Sequence, residues 1–265
     1  MKTCVANKES IVCGGAAITA LLQKHHAKIF PVDSEHSAIF QCLEGNREHA
    51  VRRILLTCSG GPFRTWEKSE IANATVEQAL KHPKWNMGAK ISIDSATLAN
   101  KGLEVLEARW LFDVPVEQVE VVVHPESIVH SMVEYSDRSI LAQMGVPDMK
   151  LPIQVALGYP KRLQNGPKPV DFVSLGSLHF EAPDMDRFPC LALAYQAGKT
   201  GGMTPIAFNA ANEIAVQRYQ MHQIGFYDIP RLIEKAMHKF SGGDEPNLDE
   251  ILLIDRQVRQ FMNTI

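Results

Sequence analysis

The chain has 265 residues, 45% of them hydrophobic, which is long enough to bury the core of one large domain or of two ordinary ones. Its 27 basic and 30 acidic side chains leave a formal charge of −3, so no basic excess exists for a nucleic-acid backbone, and general nucleic-acid binding is set aside. No run approaches the roughly 18 apolar residues of a membrane helix, Asn7, Lys8 and Glu9 come too early for a secretory leader, and the 5 cysteines, without a Cys-x-x-Cys pair, fit free thiols in a reducing cytoplasm.

In chain order, Ile11 to Leu22 reads as a helix and Ala27 to Val32 as a short strand. His36 to Leu43 is helical. Arg53-Ile54-Leu55-Leu56 is a buried strand running into the turn formers Ser59-Gly60-Gly61-Pro62. Lys90-Ile91-Ser92-Ile93 reads as a strand, and Ala96 to Phe112 as a helix with Asp94 or Ser95 as its N-cap. Val119 to His124, Ile128 to Tyr135 and Ser139 to Met144 are strand-like with no helix between them, which predicts an antiparallel or mixed sheet. Pro160, Pro167, Pro169, Pro183 and Pro189 punctuate a stretch of linker composition. Beyond it, Leu191 to Ala194, Ala207 to Tyr219, Ile229 to Phe240 and Leu248 to Phe261 read as four helices. The expected architecture is an α/β (α+β) catalytic domain with a mixed sheet over residues 1–159, a Pro-rich linker over 160–189 and an all-helical domain over 190–265.

Chemistry concentrates in two places. Asp33 and Glu35 lie two residues apart just past a strand, with Ser34 between them, so both carboxylates are free to face one way. Their repulsion is relieved by a metal or a shared proton if they converge, and by water if the loop is solvated. Thr97, Asn100, Lys101 and Glu104 follow at i, i+3, i+4 and i+7, one polar helix face. That stripe is either solvent-facing or part of a site. Carboxylates without a cysteine motif favour a hard cation such as Mg²⁺ or Mn²⁺ over zinc. The turn Thr57-Cys58-Ser59-Gly60-Gly61 is either a plain turn or a cradle of backbone N–H groups for an anion. His82-Pro83-Lys84-Trp85-Asn86-Met87-Gly88 has the composition of a loop that covers a ligand. His124 and His130 read as satisfied sheet histidines. Together these residues describe a metal-assisted site for an anionic substrate.

Several ordered stretches sharpen that description. Ala6-Asn7-Lys8-Glu9-Ser10, Pro31 to His36, Leu55 to Phe63, Lys90 to Thr97 with Asn100 to Glu104, His124 to Ser131, and Asn209-Ala210-Ala211-Asn212-Glu213 together resemble the 1-deoxy-D-xylulose 5-phosphate reductoisomerases, over essentially the whole chain. The resemblance implies conversion of 1-deoxy-D-xylulose 5-phosphate to 2-C-methyl-D-erythritol 4-phosphate in non-mevalonate isoprenoid biosynthesis, with NADPH and Mg²⁺, Mn²⁺ or Co²⁺. Carried over by residue, it implies metal ligands Asp33, Glu35 and Glu104, with Lys8, Glu35 and Glu104 as catalytic positions. It implies sugar-phosphate contacts from Lys8, Ser34, Glu35, Ser59, His82, Ser95, Asn100, Lys101 and Glu104. Asn7, Glu9 and Gly88 would touch the cofactor, and Trp85 and Met87 would sit on a flap closing over the substrate. In the implied reaction the cation binds substrate oxygens during a retro-aldol and aldol rearrangement, and NADPH then reduces the aldehyde. A cytoplasmic homodimer is implied as well, joined through the strands from Val119 to Met144.

One feature of the family is not found. No G-x-G-x-x-G turn follows an N-terminal strand, and Cys13-Gly14-Gly15 lies on or beside a helix without that spacing. The expectation is therefore a chain that carries the metal and substrate motifs, with residues 1–10 as the remnant of the junction to the NADPH-binding domain. Two other readings compete with reductoisomerase activity: a non-catalytic phosphosugar-binding or assembly module, and a metal-dependent isomerase that performs only the rearrangement.

Overall fold

The computed structural model describes residues 2–46, 49–85 and 87–265. Strand β1 (Lys2–Val5) leads into helix α1 (Lys8–Lys24), which begins earlier than its apolar pattern. Asn7 is the reason: its side chain accepts the Ser10 N–H at 3.0 Å and caps the helix, so Lys8 and Glu9 fall in the first turn. Cys13-Gly14-Gly15 lies inside α1, where Gly14 departs from helical geometry. Strand β2 (Lys28–Pro31) pairs in parallel with β1, Cys4 opposite Phe30. Helix α2 (Ser34–Leu43) follows at once, with Asp33 as its N-cap.

Strand β3 (Val51–Cys58) is the spine of the second sheet, and its residues 54–58 are buried in succession, as expected of a strand covered on both faces. Short helices α3 (Lys68–Ile71) and α4 (Val76–Ala79) come next, then α5 (Ala89–Ala96) and α6 (Ala99–Phe112). Strands β4 (Val119–Val123), β5 (Val129–Tyr135) and β6 (Ile140–Met144) complete the sheet in the order β4-β3-β5-β6. The β3–β4 pair is parallel and the pairs β3–β5 and β5–β6 are antiparallel, a mixed sheet as expected. Helices α7 (Lys150–Gly158) and α8 (Phe172–Leu175) precede the C-terminal helices α9 (Pro189–Thr200), α10 (Thr204–Gln220), α11 (Asp228–Lys239) and α12 (Leu248–Met262). Among the described residues no helix is long and apolar enough to cross a membrane.

The main hydrophobic core runs without a break from β3 through α6 to α9 and α10, joining Leu56, Leu103, Leu191 and Phe208. Glycine sets how close these layers come. A Cβ on Gly102 would lie 2.4 Å from that of Ala194, so α6 and α9 cross at a distance only glycine permits.

The strand expected at Lys90–Ile93 is a helix. Alternating isoleucines gave it a strand-like pattern, but the Lys90 ammonium lies 2.8 Å from Asp94 at i,i+4, and Ser92 Oγ returns a hydrogen bond to Gly88 O at 3.0 Å. The helix expected from Ala96 is likewise divided, because Leu98 adopts a left-handed conformation (φ 59°) between α5 and α6. Neither Asp94 nor Ser95 caps α6. Thr97 Oγ1 takes up the Ala99 N–H at 3.3 Å instead. This break turns the chain, so that the end of α5 and the start of α6 face one cavity.

Candidate active site

That cavity, of about 280 Å³, lies where β2 meets α2, where β3 enters its glycine turn, and where α5 gives way to α6. Its lining includes Lys8, Asp33, Glu35, Ser59, Ser95 and Lys101, brought from across the first part of the chain. The starts of α1, α2 and α6, the end of α5, the turn after β3 and the segment from His82 to Met87 thus supply most of the side chains singled out from the sequence.

On the acidic side, Asp33, Glu35 and Glu104 each present a carboxylate oxygen within 4.8 Å of the others. Asp33 and Glu35 converge for a different reason from the one expected. They do not alternate along an extended strand: Asp33 caps α2, accepting the Glu35 N–H at 3.3 Å, and Glu35 occupies the first helical turn. Nor are they without cations nearby. Lys8 Nζ is 2.7 Å from Asp33 Oδ2, 3.0 Å from Glu104 Oε1 and 2.9 Å from Asn100 Oδ1. Lys101 Nζ is 3.3 Å from Glu35 and also donates to Glu104. Burial pulls the Lys8 ammonium down, but Asp33, Glu104 and Glu107 outweigh it and hold the group well above the ordinary lysine range. Burial raises the Asp33 carboxyl, and Lys8 with His36 reverses this to leave it well below normal. Glu35 goes the other way. Burial and the Glu104 charge push its carboxyl up, and Lys101 only partly compensates. An all-oxygen donor set in this charge balance suits a hard divalent cation.

Neutral and cationic donors line the same cavity. His82 Nδ1 accepts the Trp85 N–H at 2.9 Å and the Lys84 N–H at 3.2 Å, which leaves its proton on Nε2 and directs it to Ser59 Oγ at 2.9 Å. Burial pulls the His82 imidazole down to about 4, so the ring is neutral near pH 7. Ser59 Oγ also accepts the Gly61 N–H at 3.2 Å, so the hydroxyl's own hydrogen remains to donate to a ligand. Gly61 has φ +71°, and a Cβ there would lie 2.7 Å from the Ser95 carbonyl oxygen. Glycine therefore lets the Ser59 turn rest on the end of α5, bringing Ser59 and Ser95 to one wall. Asn100 and Lys101 project from the first turn of α6 into the same cavity.

Trp85 and Met87 line the cavity, and Trp85 stands 6.4 Å from the His130 ring. Asn86, in the same segment, lies outside the described residues. Gly88 is the N-cap of α5. Asn7 Nδ2 donates to Glu9 Oε2 at 2.9 Å, and Glu9 Oε1 meets Lys90 Nζ at 2.9 Å, which ties Asn7 and Glu9 to the start of α5; Asn7, Glu9 and Gly88 do not themselves line the cavity. His124 is fully buried, donating through Nδ1 to the His179 carbonyl at 2.8 Å and accepting the Ile128 N–H at 3.1 Å, in keeping with a satisfied sheet-end histidine. Ser34 Oγ donates to Glu35 at 2.6 Å.

With this geometry in place, comparison with known proteins is decisive. The reductoisomerase of Chloroherpeton thalassium, named 1-deoxy-D-xylulose 5-phosphate reductoisomerase, is 53% identical over 258 residues, covering 97% of this chain and 67% of that protein. The enzyme of the same name from Acetivibrio thermocellus is 52% identical over 261 residues, 98% of this chain and 68% of that protein. The chain belongs to the 1-deoxy-D-xylulose 5-phosphate reductoisomerase family. Residues 29–112 match the family profile described as the 1-deoxy-D-xylulose 5-phosphate reductoisomerase C-terminal domain, and residues 144–261 match that of the DXP reductoisomerase C-terminal domain. Among solved structures, the reductoisomerase from Zymomonas mobilis in complex with NADPH superposes with a TM-score of 0.91 at 46% identity, over 98% of this chain and 67% of that one. A DOX-P reductoisomerase in complex with NADPH, fosmidomycin and magnesium gives 0.93 at 44%, over 99% of this chain and 69% of that one.

Some residues of this reductoisomerase-family site were not singled out from the sequence. His36 and Glu107, both buried, lie behind Asp33 with Nδ1 and Oε2 3.3 Å apart. Glu107 sits one helical turn beyond Glu104, a spacing that could have been noticed. Lys90 falls in the segment that reads as a strand and Asp94 reads as a candidate N-cap, so their i,i+4 pairing does not show in the sequence.

Proposed function

We propose that the pocket binds one divalent cation, Mg²⁺, Mn²⁺ or Co²⁺, through Asp33, Glu35 and Glu104, together with 1-deoxy-D-xylulose 5-phosphate, and that the chain serves reductoisomerase catalysis in isoprenoid biosynthesis. The observation that carries this reading is the convergence of three carboxylates in one cavity with Ser59, Ser95, Asn100 and Lys101, the last two in direct contact with Glu104. The relatives' complexes with NADPH, fosmidomycin and magnesium support it.

When bound, the cation supplies Lewis acidity to the substrate oxygens and NADPH supplies hydride. The chain's own part is to position and to balance charge. Ser59 donates its free hydroxyl hydrogen to a phosphate oxygen. Ser95 and Asn100 add neutral donors, and Lys101 adds a charge-assisted one suited to a dianion. Lys8 holds its proton at Nζ between Asp33 and Glu104, keeping an ammonium beside the reacting oxygens. Glu35 and Ser34 approach the sugar from the start of α2. His82 orients Ser59, and Trp85 and Met87 cover the sugar and exclude water.

In this reading Asn7, Glu9 and Gly88 meet the nicotinamide end of the cofactor. We assign its phosphate and adenosine end to the portion of the relatives that this chain does not match. Residues 1–159 form the metal- and substrate-binding unit in this reading, 160–189 a Pro-rich linker, and 190–265 a helical unit. The strands from Val119 to Met144 are the proposed homodimer surface of a cytoplasmic enzyme. The test is calorimetric binding of Mn²⁺ and of 1-deoxy-D-xylulose 5-phosphate to the chain, followed by NADPH consumption with a nucleotide-binding domain of the family supplied in trans. Binding of both ligands and turnover in the complemented mixture are expected. Failure of the chain to bind either ligand contradicts the proposal.

A further inference from the structure

Asp94 is 1% exposed and does not line the cavity, yet it carries a carboxylate in the last turn of α5, next to Ser95. A buried charge is costly unless it is paired and hydrogen-bonded. Both requirements are met from outside the site. Asp94 Oδ2 lies 2.8 Å from Lys90 Nζ, and Oδ1 accepts from Asn212 Nδ2, also at 2.8 Å, on α10. Asn212 is itself fully buried, and its Oδ1 has no hydrogen-bond partner, so among its side-chain atoms the contact to Asp94 is the one that fixes the amide. Lys90 continues the line by reaching Glu9 at 2.9 Å in the first turn of α1, next to Lys8.

Successive residues of an α-helix point about 100° apart. Holding Asp94 toward α10 therefore turns Ser95 toward the cavity. The same rotation presents the Ser95 carbonyl as the surface on which the Gly61 turn rests, and that turn carries Ser59. We infer that Asp94 and Asn212 are positioning residues for the phosphate wall: their contact sets the rotation of α5, and through it the relative placement of Ser95 and Ser59, from the C-terminal helices. The metal ligands stand at the start of α2 and on α6, and the Asp94–Asn212 contact touches none of them. Asparagine 212 thus gives the Asn-Ala-Ala-Asn-Glu motif a role at a site it does not touch.

This inference rests on the phosphosugar reading, and the unaltered chain serves as the control for it. The experiment measures the affinity for 1-deoxy-D-xylulose 5-phosphate in saturating Mn²⁺, the affinity for Mn²⁺ alone, and the melting temperature, for D94N, N212A and the exchanged pair D94N/N212D. Misplacement of two donors is expected to weaken phosphosugar binding about tenfold in D94N and N212A. Mn²⁺ affinity should stay within about twofold, and the exchanged pair, which restores a donor facing an acceptor, should recover most of the loss. N212A keeps the Lys90 pair intact and is decisive if D94N fails to fold. A lowered melting temperature with both affinities unchanged overturns the inference and leaves only a structural contact. Equal losses of metal and phosphosugar also overturn it. If the unaltered chain binds no phosphosugar, the parent reading falls and this one with it; normal binding by the unaltered chain and by both single variants overturns this one alone.

Discussion

Two sets of ligating side chains share Asp33, and they stand in opposite settings. Asp33, Glu35 and Glu104 open onto the cavity, with Lys8 and Lys101 among them. Asp33, His36 and Glu107 also lie within ligating distance of one another, but His36 and Glu107 are sealed in the interior, with the His36 ring parallel to Phe112 at 6.0 Å. Burial pulls the His36 imidazole down, yet Glu107 and Asp33 return it above the usual histidine range. Burial likewise raises the Glu107 carboxyl, and His36 opposes that rise. The sealed set is thus an internal pair that steadies Asp33 from behind. The open set faces the space a ligand can enter, with burial and the Glu104 charge raising the Glu35 carboxyl there. Accessibility, rather than the count of ligating atoms, separates the proposed metal site from the residues behind it.

The largest effect should come from the open set. Glu104→Gln removes a ligand charge and should weaken Mn²⁺ binding more than about a hundredfold, beyond the range for outer partners. A titration of the folded variant that shows unchanged affinity would remove Glu104 from the site. Lys101→Ala deletes a charge-assisted donor worth about 1.5–3 kcal/mol, roughly tenfold to a hundredfold in affinity. That loss should fall on the phosphate-bearing substrate and much less on a phosphate-free analogue, and equal losses would assign Lys101 to folding. The sealed set should respond more mildly, with Glu107→Gln lowering Mn²⁺ affinity about tenfold through His36 and Asp33. A drop as large as that of Glu104→Gln would erase the distinction between the two sets.

The smallest effect concerns stability without metal. A carboxyl whose pKa is raised in the folded state keeps its proton after the unfolded chain has lost its own, so stability declines as pH rises above the ordinary glutamate value. Glu35 is such a group. Glu35→Gln in chelator should therefore raise the melting temperature by about 2–4 °C near pH 7 and by less near pH 4. A fall in melting temperature near pH 7 would mean that the ionised carboxylate stabilises the fold.

Much of the site is legible along the chain because its residues sit at element boundaries, where spacing carries information. Asp33 and Glu35 stand out beside a strand end, and Asn100, Lys101 and Glu104 share a face of α6. Thr97, placed on that face from the spacing, belongs instead to the turn after α5, since Leu98 breaks the helix. The pairing of Lys8 with Asp33 is not legible at all, because it joins α1 to α2 through space. Segment 90–93 reads as a strand for a local reason: two isoleucines separated by one residue mimic one, while a bond that favours the helix, Lys90 to Asp94, depends on Asp94 being held against α10. The mixed sheet was readable from three strand-like runs without helices between them. Its order was not, since β3 inserts between β4 and β5.

The most direct measurement is a Mn²⁺ titration of the unaltered chain, carried out with and without 1-deoxy-D-xylulose 5-phosphate. If the three carboxylates and the phosphate wall form one site, each chain binds one Mn²⁺, Asp33→Asn abolishes that binding, and the phosphosugar and Mn²⁺ raise each other's affinity by the same factor. Mn²⁺ binding that survives Asp33→Asn, or that ignores the phosphosugar, would contradict the assignment of metal and substrate to this pocket.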